Sequence, residues 1–510
     1  MDNWNSGYVS EINYTHGYYP ELNPGRLKFI MALANISAPN VSNACELGFG
    51  QGISCNVHSA TSSTLWCGND FNPSHAAFAQ DLASYVGAEA LFSDQSFEEF
   101  CNRKDIPELD YIALHGIWSW ISNENREVIV DFIRRKLKVG GVVYVSYNTL
   151  PGWSALSPIR HLMNEHVQSP SNSASSFEGK IDESLEYVHD IIEASTYSKT
   201  VVGASDKVKN IQQQSKNYIA HEYLNRDWEP MYFTEIHSYL SKAKLDFACS
   251  ANYLDSVNVI NFSEEQLNVL NAIQDKNFKQ LIRDYLINQQ FRRDYWVKGP
   301  RRLSNLEKTE ILQDMSIILT VPEDRVPLKV TGGRGEATLQ STIYKPILKI
   351  LSDHKTHNIN ALSKKLISDG VKLQNLIEAI TILIGMGVVS VVANINPTKD
   401  IVSKTERLNE RIMFLSRHSN DVNFLASCVT GGAHPVSRFE QLFLLEIVSG
   451  AKDPKDWAAK VAKLLRKQGQ GIIVDGKVLN TPEENFSALL KQAEEFSEKK
   501  LPIMRALKIV

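Results

Sequence analysis

The sequence predicts an α/β fold built on a doubly wound parallel sheet, and three observations support this prediction. Short apolar runs alternate with helical stretches over residues 41–146, the pattern of parallel strands joined by crossover helices. Gly48, Gly50 and Gly52 follow the first apolar run, where such folds turn sharply from strand into helix. A carboxylate side chain also ends each of the first three predicted strands.

The first part of the chain contains five predicted strands. Crossover connections in such a sheet are right-handed, so the ligand crevice is expected at the carboxyl ends of the strands. Glu46 and Asp70 stand 24 residues apart, which fits one strand–helix–strand unit. The predicted strands cover residues 41–46, 64–70, 88–94, 109–115 and 140–146, and the predicted helices between them include 74–86 and 124–138.

The alternation of predicted strands and helices stops after residue 154. Residues 155–220 contain a polar loop and two helical stretches, which predicts a helical insertion. Residues 221–304 then resume the sheet, with a crossover helix at 233–244, a sixth strand at 245–253 and a seventh at 291–298. A helical excursion is expected at 264–288 between the last two strands.

Residues 305–398 resemble a winged-helix module, with helices at 343–353, 359–368 and 372–386 and a strand at 387–393. The third helix is apolar and acidic where a DNA-reading helix would carry basic residues. Protein docking is therefore the favoured role. The remaining residues, 399–510, are predicted to be mostly helical.

Composition excludes several classes of protein. The 510 residues have a formal net charge of −4, which provides no field to attract nucleic acid or an anionic membrane. The six cysteines form no C-x-x-C pair, so neither a zinc site nor a disulfide framework is indicated, and no metal is expected. Without a secretory signal or a run of about 20 apolar residues, the chain is expected to be cytoplasmic, without membrane insertion.

The glycine turn points to a nucleotide-like cofactor. Its spacing differs from G-x-G-x-x-G and lacks the Gly-Lys-Ser/Thr of a P-loop. Glu46-Leu-Gly-Phe-Gly resembles motif I of class I S-adenosylmethionine-dependent methyltransferases. A plain strand-to-helix turn is the alternative.

Four further segments extend this resemblance over roughly residues 14–300. Together with motif I they are similar to bacterial class I methyltransferases that carry a methyltransferase regulatory domain, among them rickettsial protein-lysine methyltransferases that act on an outer-membrane protein. Two positions depart from the usual pattern, because Phe49 replaces a cysteine and Trp118 replaces a tyrosine. The segments begin at His115 (His-Gly-Ile-Trp-Ser-Trp), Ser146 (Ser-Tyr-Asn-Thr-Leu-Pro-Gly-Trp), His221 (His-Glu-Tyr-Leu) and Trp228 (Trp-Glu-Pro-Met-Tyr-Phe).

The resemblance implies a seven-stranded methyltransferase sheet and a set of site residues. Residues 1–154 then form the S-adenosylmethionine-binding core with an N-terminal lid that includes Tyr14, His16, Tyr18 and Tyr19, and residues 221–304 form the regulatory region. Glu46, Gly48 and Gly50 are expected to hold the amino-acid end of the cofactor, Asp70 the ribose, and Asp94 with Gln95 the adenine. Tyr19, Gly52 and His115 complete the predicted cofactor residues, and His115, Trp118 and Tyr147 are the predicted catalytic residues.

Trp118, Trp120 and Tyr147 are expected to wall the acceptor site, because aromatic faces favour cationic groups. Ordinary core packing is the alternative for these aromatic residues and for His115.

A lysine side chain is the favoured acceptor, and its deprotonation at pH 7 costs about 4–5 kcal/mol. A small-molecule or saccharide acceptor, or a silent cofactor-binding protein, stays open. A protein substrate is the expected partner and a homodimer stays open, whereas the general base and the acceptor protein are not identified by spacing.

Overall fold

A seven-stranded sheet forms the centre of the molecule. The computed structural model describes residues 15–174, 176–201, 203–474, 476–479 and 481–510. The strand order is β3-β2-β1-β4-β5-β7-β6, and only β7 runs antiparallel to its neighbours. This confirms the predicted seven-stranded sheet. The strands are β1 (Asn43–Leu47), β2 (Leu65–Asn69), β3 (Ala90–Ser93), β4 (Leu109–Leu114), β5 (Leu137–Asn148), β6 (Leu245–Ser250) and β7 (Phe291–Lys298).

Alternate residues of each strand face opposite sides of the sheet, and helices cover both sides. Ala44, Trp66 and Tyr111 belong to one core cluster, whereas their neighbours Cys45 and Cys67 belong to another. The helices of this first part are α1 (Leu27–Leu33), α2 (Ile53–Thr61), α3 (Pro73–Val86), α4 (Phe97–Cys101) and α5 (Asn123–Lys136).

A group of helices separates β5 from β6. The first five have a small hydrophobic cluster of their own, which includes Ile159, Ile181 and Ile219. They are α6 (Ser157–Gln168), α7 (Phe177–Ala194), α8 (Tyr197–Thr200), α9 (Ala204–Gln212) and α10 (Lys216–Tyr223). Helix α11 (Phe233–Ser241) then leads into β6. Three further helices lie between β6 and β7: α12 (Asn258–Asn261), α13 (Glu264–Ala272) and α14 (Lys276–Ile287).

The chain beyond β7 is mostly helical, as predicted. Strands β8, β11 and β12 form a three-stranded sheet, beside which lie helices α16–α18; the winged-helix assignment stays a prediction. The elements are α15 (Asn305–Asp314), β8 (Ser316–Leu319), β9 (Lys329–Gly332), β10 (Gly335–Thr338), α16 (Ser341–Leu351), β11 (His357–Asn358), α17 (Ile359–Lys365), α18 (Leu373–Gly385), β12 (Val389–Val391), α19 (Lys399–Leu415), β13 (Phe424–Ser427), β14 (Gly432–Pro435), α20 (Arg438–Val448), α21 (Pro454–Lys467), β15 (Ile473–Val474), β16 (Lys477–Val478), α22 (Pro482–Glu495) and α23 (Leu501–Ala506).

Helix α19 joins this C-terminal part to the sheet domain. The Thr405 hydroxyl donates to the carbonyl of Ala60 in α2 at 3.2 Å, and Arg411 pairs with Asp81 of α3 at 2.7 Å. One apolar cluster contains side chains of α2, α3 and α19–α23 together, including Leu408. The C-terminal part therefore covers one side of the sheet domain.

Tyr18 lies between these two parts, against His58 of α2 and Phe424 of β13. Tyr18 is buried, and its hydroxyl lies 3.3 Å from Nε2 of His58. His16 lies edge-on to Phe78 with the ring centroids 5.0 Å apart. Of the two remaining members of the predicted lid, Tyr19 lines the cavity described below, and Tyr14 lies outside the described residues. No helix in the described ranges has the length and apolar character needed to cross a bilayer.

Candidate active site

A cavity of about 290 Å³ opens at the carboxyl ends of β1, β2 and β4. In the sheet order, β1 lies between β2 and β4, and the chain moves from one side of β1 to the other at this point. Such a switch point is where doubly wound sheets form a ligand crevice. Six predicted site residues line the cavity, five that follow or end the three strands and one from the N-terminal segment: Glu46, Gly48, Gly50, Asp70, His115 and Tyr19.

Glu46 places a buried carboxyl group at the floor of this cavity. Its residue is 3% exposed, and its Oε2 atom has no hydrogen-bond partner among the described residues. Burial raises the pKa of Glu46 to about 8, and the negative charge of Asp70 adds to the effect. A buried acceptor without a partner is costly. This oxygen is therefore suited to accept hydrogen bonds from a cationic ligand group.

The three glycines of the turn have different roles. Gly48 has φ +67°, and a Cβ there would lie 2.7 Å from Cγ2 of Ile117, so both backbone shape and space call for glycine. Gly50 donates its N–H to Asp70 Oδ2 at 2.8 Å. Gly52 does not line the cavity, and a Cβ there would lie 2.5 Å from Cβ of Ala79. The absence of a side chain at Gly52 lets α2 pack closely on α3, and its cofactor contact stays a prediction.

Asp70 holds the turn through three hydrogen bonds. Besides the N–H of Gly50, its carboxylate accepts the N–H of Asn72 at 3.0 Å and lies 3.1 Å from Nδ1 of His75. Oδ2, which accepts only the N–H of Gly50 among these three bonds, still has capacity for a further donor. The contact between Asp70 and a ribose stays a prediction. These hydrogen bonds already fix the orientation of the Asp70 carboxylate before a ligand binds.

Asp94 and Gln95 lie outside the lining of the cavity. Asp94 is exposed, and Gln95 accepts the Ser93 hydroxyl through its side chain. Asn69 and Phe97 line the cavity near the place where these two residues were expected. Oδ1 of Asn69 is buried with no partner among the described residues, and sequence reasoning missed this second unsatisfied acceptor.

His115 lies after β4, half-buried between two tyrosines. Its Nδ1 is 2.8 Å from the hydroxyl of Tyr144, and its ring stacks on Tyr19 with centroids 3.7 Å apart. Burial lowers the pKa of His115 to about 4. The imidazole is therefore neutral near pH 7 and is held in position by both rings.

Two of the predicted catalytic residues lie in the core and not on the cavity wall. Trp118 and Tyr147 are both 0% exposed and pack in the apolar cluster under the sheet. The Tyr147 hydroxyl donates to Asp294 at 2.8 Å. Neither residue lines the cavity, whereas Trp120, two positions after Trp118, does so. For these two residues the structure shows core packing.

A second cavity of about 580 Å³ adjoins the first. The two share the side chains of Tyr19, His115 and Trp120. Helix α10 contributes Glu222 to the second cavity, and Nδ2 of Asn148 donates to that carboxylate at 3.2 Å. Across the described ranges, no group of three or more His, Cys, Asp or Glu residues is arranged to hold a metal.

The sheet order and the position of the cavity define a class I methyltransferase fold. A family model described as a predicted methyltransferase regulatory domain matches residues 215–298. PKMT2 from Rickettsia typhi, solved in complex with AdoHcy, has the same overall fold, with a TM-score of 0.71 at 18% identity over 97% of this chain and 100% of that chain.

Two relatives extend the similarity over the whole chain. The uncharacterized protein sll1526 of Synechocystis sp. is 37% identical over 514 residues, or 99% of each chain. The uncharacterized protein RP789 of Rickettsia prowazekii is 24% identical, over 93% of this chain and 89% of its own. The chain belongs to the family of sll1526, and in this chain a class I methyltransferase fold includes the segment matched by the regulatory-domain model.

Proposed function

We propose that this protein is an S-adenosylmethionine-dependent methyltransferase and that its acceptor is a lysine side chain of a protein. One observation supports the cofactor above all others. The unsatisfied Oε2 of Glu46 stands at the head of the glycine turn, where the ammonium group of an amino acid is the matching donor.

The residues present fit this cofactor. Glu46 would accept hydrogen bonds from its amino-acid end, and the tight turn at Gly48 lets the backbone approach. Asp70, held by the N–H of Gly50, would accept the ribose hydroxyls. When bound, the cofactor supplies a methyl group on a positively charged sulfur. The task left to the chain is to align an acceptor with that methyl group and to exclude water.

A lysine acceptor accords with the walls around the cavity. Aromatic side chains such as Tyr19 and Trp120 line both cavities, and aromatic faces attract cationic sulfonium and ammonium groups. Residues 305–510 of this chain provide a large surface for a protein substrate, whereas a metabolite needs no such surface.

Calorimetry tests cofactor binding first. S-adenosylmethionine and S-adenosylhomocysteine should bind with one site per chain, and NADH should not bind. Failure of both sulfur compounds to bind, with NADH binding instead, would end this proposal.

Transfer of a tritiated methyl group to a bacterial lysate then identifies the acceptor by mass. Label on protein lysine supports the proposal, whereas label on a small molecule or saccharide supports the alternative acceptor. Cofactor binding without transfer identifies a silent cofactor-binding protein.

A further inference from the structure

The second cavity meets the first along a shared wall. Five residues line both cavities: Tyr19, His115, Gly116, Trp120 and Asn225. A group seated in the second cavity therefore lies next to the first cavity. This cavity is also the larger of the two, at about 580 Å³.

The lining of the second cavity suits a primary amine. Trp120, Trp153 and Tyr218 contribute aromatic rings, and Glu222 contributes a carboxylate. A carboxylate flanked by aromatic rings binds an ammonium group through charge and through the ring faces. A neutral hydroxyl acceptor would gain neither interaction.

We propose that Glu222 binds the amine of the acceptor in the second cavity and removes its proton. This inference rests on the proposed function, because it assigns a residue to that reaction. Glu222 lies on α10, within the segment matched by the regulatory-domain model. The regulatory region would thus contribute a catalytic residue as well as the last two strands.

The proton is accounted for in one step. An N–H bond of the acceptor ammonium breaks, and an O–H bond forms on Glu222, leaving a neutral amine with a free electron pair. That pair forms the new N–C bond as the S–C bond of the cofactor breaks, and the sulfur leaves as a neutral thioether. The proton passes from Glu222 to water when the product leaves.

The surroundings of Glu222 set its proton affinity. Burial raises its pKa to about 7, whereas the Asn148 hydrogen bond and the Arg160 charge oppose the rise. A base with a pKa near the working pH is suited to general base catalysis. The titratable and charged groups around it are Arg160 from α6, Tyr218, His221 and Tyr223 from α10, His115 after β4, and the paired Glu21 and Arg293.

Amine binding gives a test that needs no turnover. The probe is n-butylammonium chloride, added to protein saturated with S-adenosylhomocysteine. At pH 6 the Glu222 carboxyl is mostly protonated, so binding of the ammonium should release close to one proton, and at pH 8.5 it should release almost none. The variants are Glu222→Gln, expected to release no proton, and Glu186→Gln, an exposed carboxylate on α7 expected to match wild type.

Turnover gives a second readout. Wild-type kcat/KM should rise with pH and level off above about 7, the pKa of Glu222 before the amine binds. Glu222→Gln should lower kcat about 10²–10⁴-fold and remove the inflection in kcat/KM. Glu222→Asp retains the carboxylate, so it should keep the proton release and part of the rate. S-adenosylhomocysteine affinity should change less than twofold in each variant.

The two proposals fail in different ways. If wild type binds neither sulfur compound, the proposed function fails. If wild type methylates lysine but Glu222→Gln keeps its rate, its pH profile or its proton release, the assignment of Glu222 alone is overturned. Absence of amine binding by wild type at both pH values also overturns it.

Discussion

Glu46 links the stability of the protein to pH. Its pKa is about 8 in the folded chain against an ordinary value of 4.5. Between these values the folded chain binds a proton that the unfolded chain has lost, so the free energy of unfolding falls as pH rises through this window. Glu46→Gln removes the effect. Without cofactor, the variant should melt above wild type at pH 8, and the difference should shrink towards pH 5 in a thermal scan.

The same substitution should weaken the cofactor site. Loss of the carboxylate removes a charge-assisted hydrogen bond worth about 1.5–3 kcal/mol, so the Kd for S-adenosylhomocysteine should rise roughly 10–150-fold by calorimetry. Binding to wild type should also strengthen from pH 6 to 7.5, since a bound ammonium displaces the proton of Glu46. Glu89→Gln, at an exposed carboxylate, serves as the control. A variant that binds like wild type would remove Glu46 from the site.

Trp118 and Trp120 should respond in opposite ways to truncation. Trp118 is fully buried, so Trp118→Ala should destabilise the fold by about 3–5 kcal/mol and lower the melting temperature. Trp120 lines both cavities. Trp120→Ala should therefore melt close to wild type but lose turnover. Comparison of the two melting curves and the two kcat values checks this. Low turnover in a fully stable Trp118→Ala would restore its predicted catalytic role.

The alternation of side chains along β5 explains why the predicted Tyr147 lies in the core and not beside His115. Tyr147 lies two residues after Val145 in β5, and both side chains belong to the apolar cluster on one side of the sheet. Tyr144 and Asn148 face the other side, where they contact His115 and Glu222. Alternation along a strand has period two, so the contact between Tyr144 and His115 identifies the correct face, but that contact becomes visible only in the folded chain.

At the scale of elements, periodicity predicted the seven strands of the main sheet in the correct order along the chain, and the bounds of β7 agree with the prediction. The prediction for β5, 140–146, was shorter than the observed Leu137–Asn148. Two of its added residues, Tyr147 and Asn148, pair with β7, and pairing between segments far apart in sequence leaves no local signal. Glu222 was missed for the same reason, since a charged residue on a helix indicates a solvated face until its neighbours are known.

Helix α19 is the element that fastens the C-terminal part to the sheet domain. Leu408 is 0% exposed within the shared apolar cluster, and Leu408→Ala should lower the free energy of unfolding by about 2–5 kcal/mol. A lowered melting temperature should result. Glu410→Ala changes an exposed residue of the same helix and should melt like wild type. Equal melting of the two variants would show that this packing contributes little.

At the scale of the whole molecule, the C-terminal part supports the fold of the sheet domain. Truncation after residue 304 exposes the apolar faces of α2 and α3 that the shared cluster covers. The truncated chain should therefore aggregate or melt early, and coexpression with residues 305–510 should restore a soluble complex that binds S-adenosylhomocysteine. A truncated chain that is stable alone and binds the cofactor would show that the two parts fold independently.

The position of β7 between β5 and β6 has a consequence for biosynthesis. About 150 residues separate the end of β5 from the end of β7, and a ribosome needs roughly 8–30 s to add them at 5–20 residues per second. During that interval the nascent chain presents β5 as an open edge strand, a template for wrong pairing. Newly made chains should therefore be captured by a holdase chaperone until residue 298 has emerged from the ribosome.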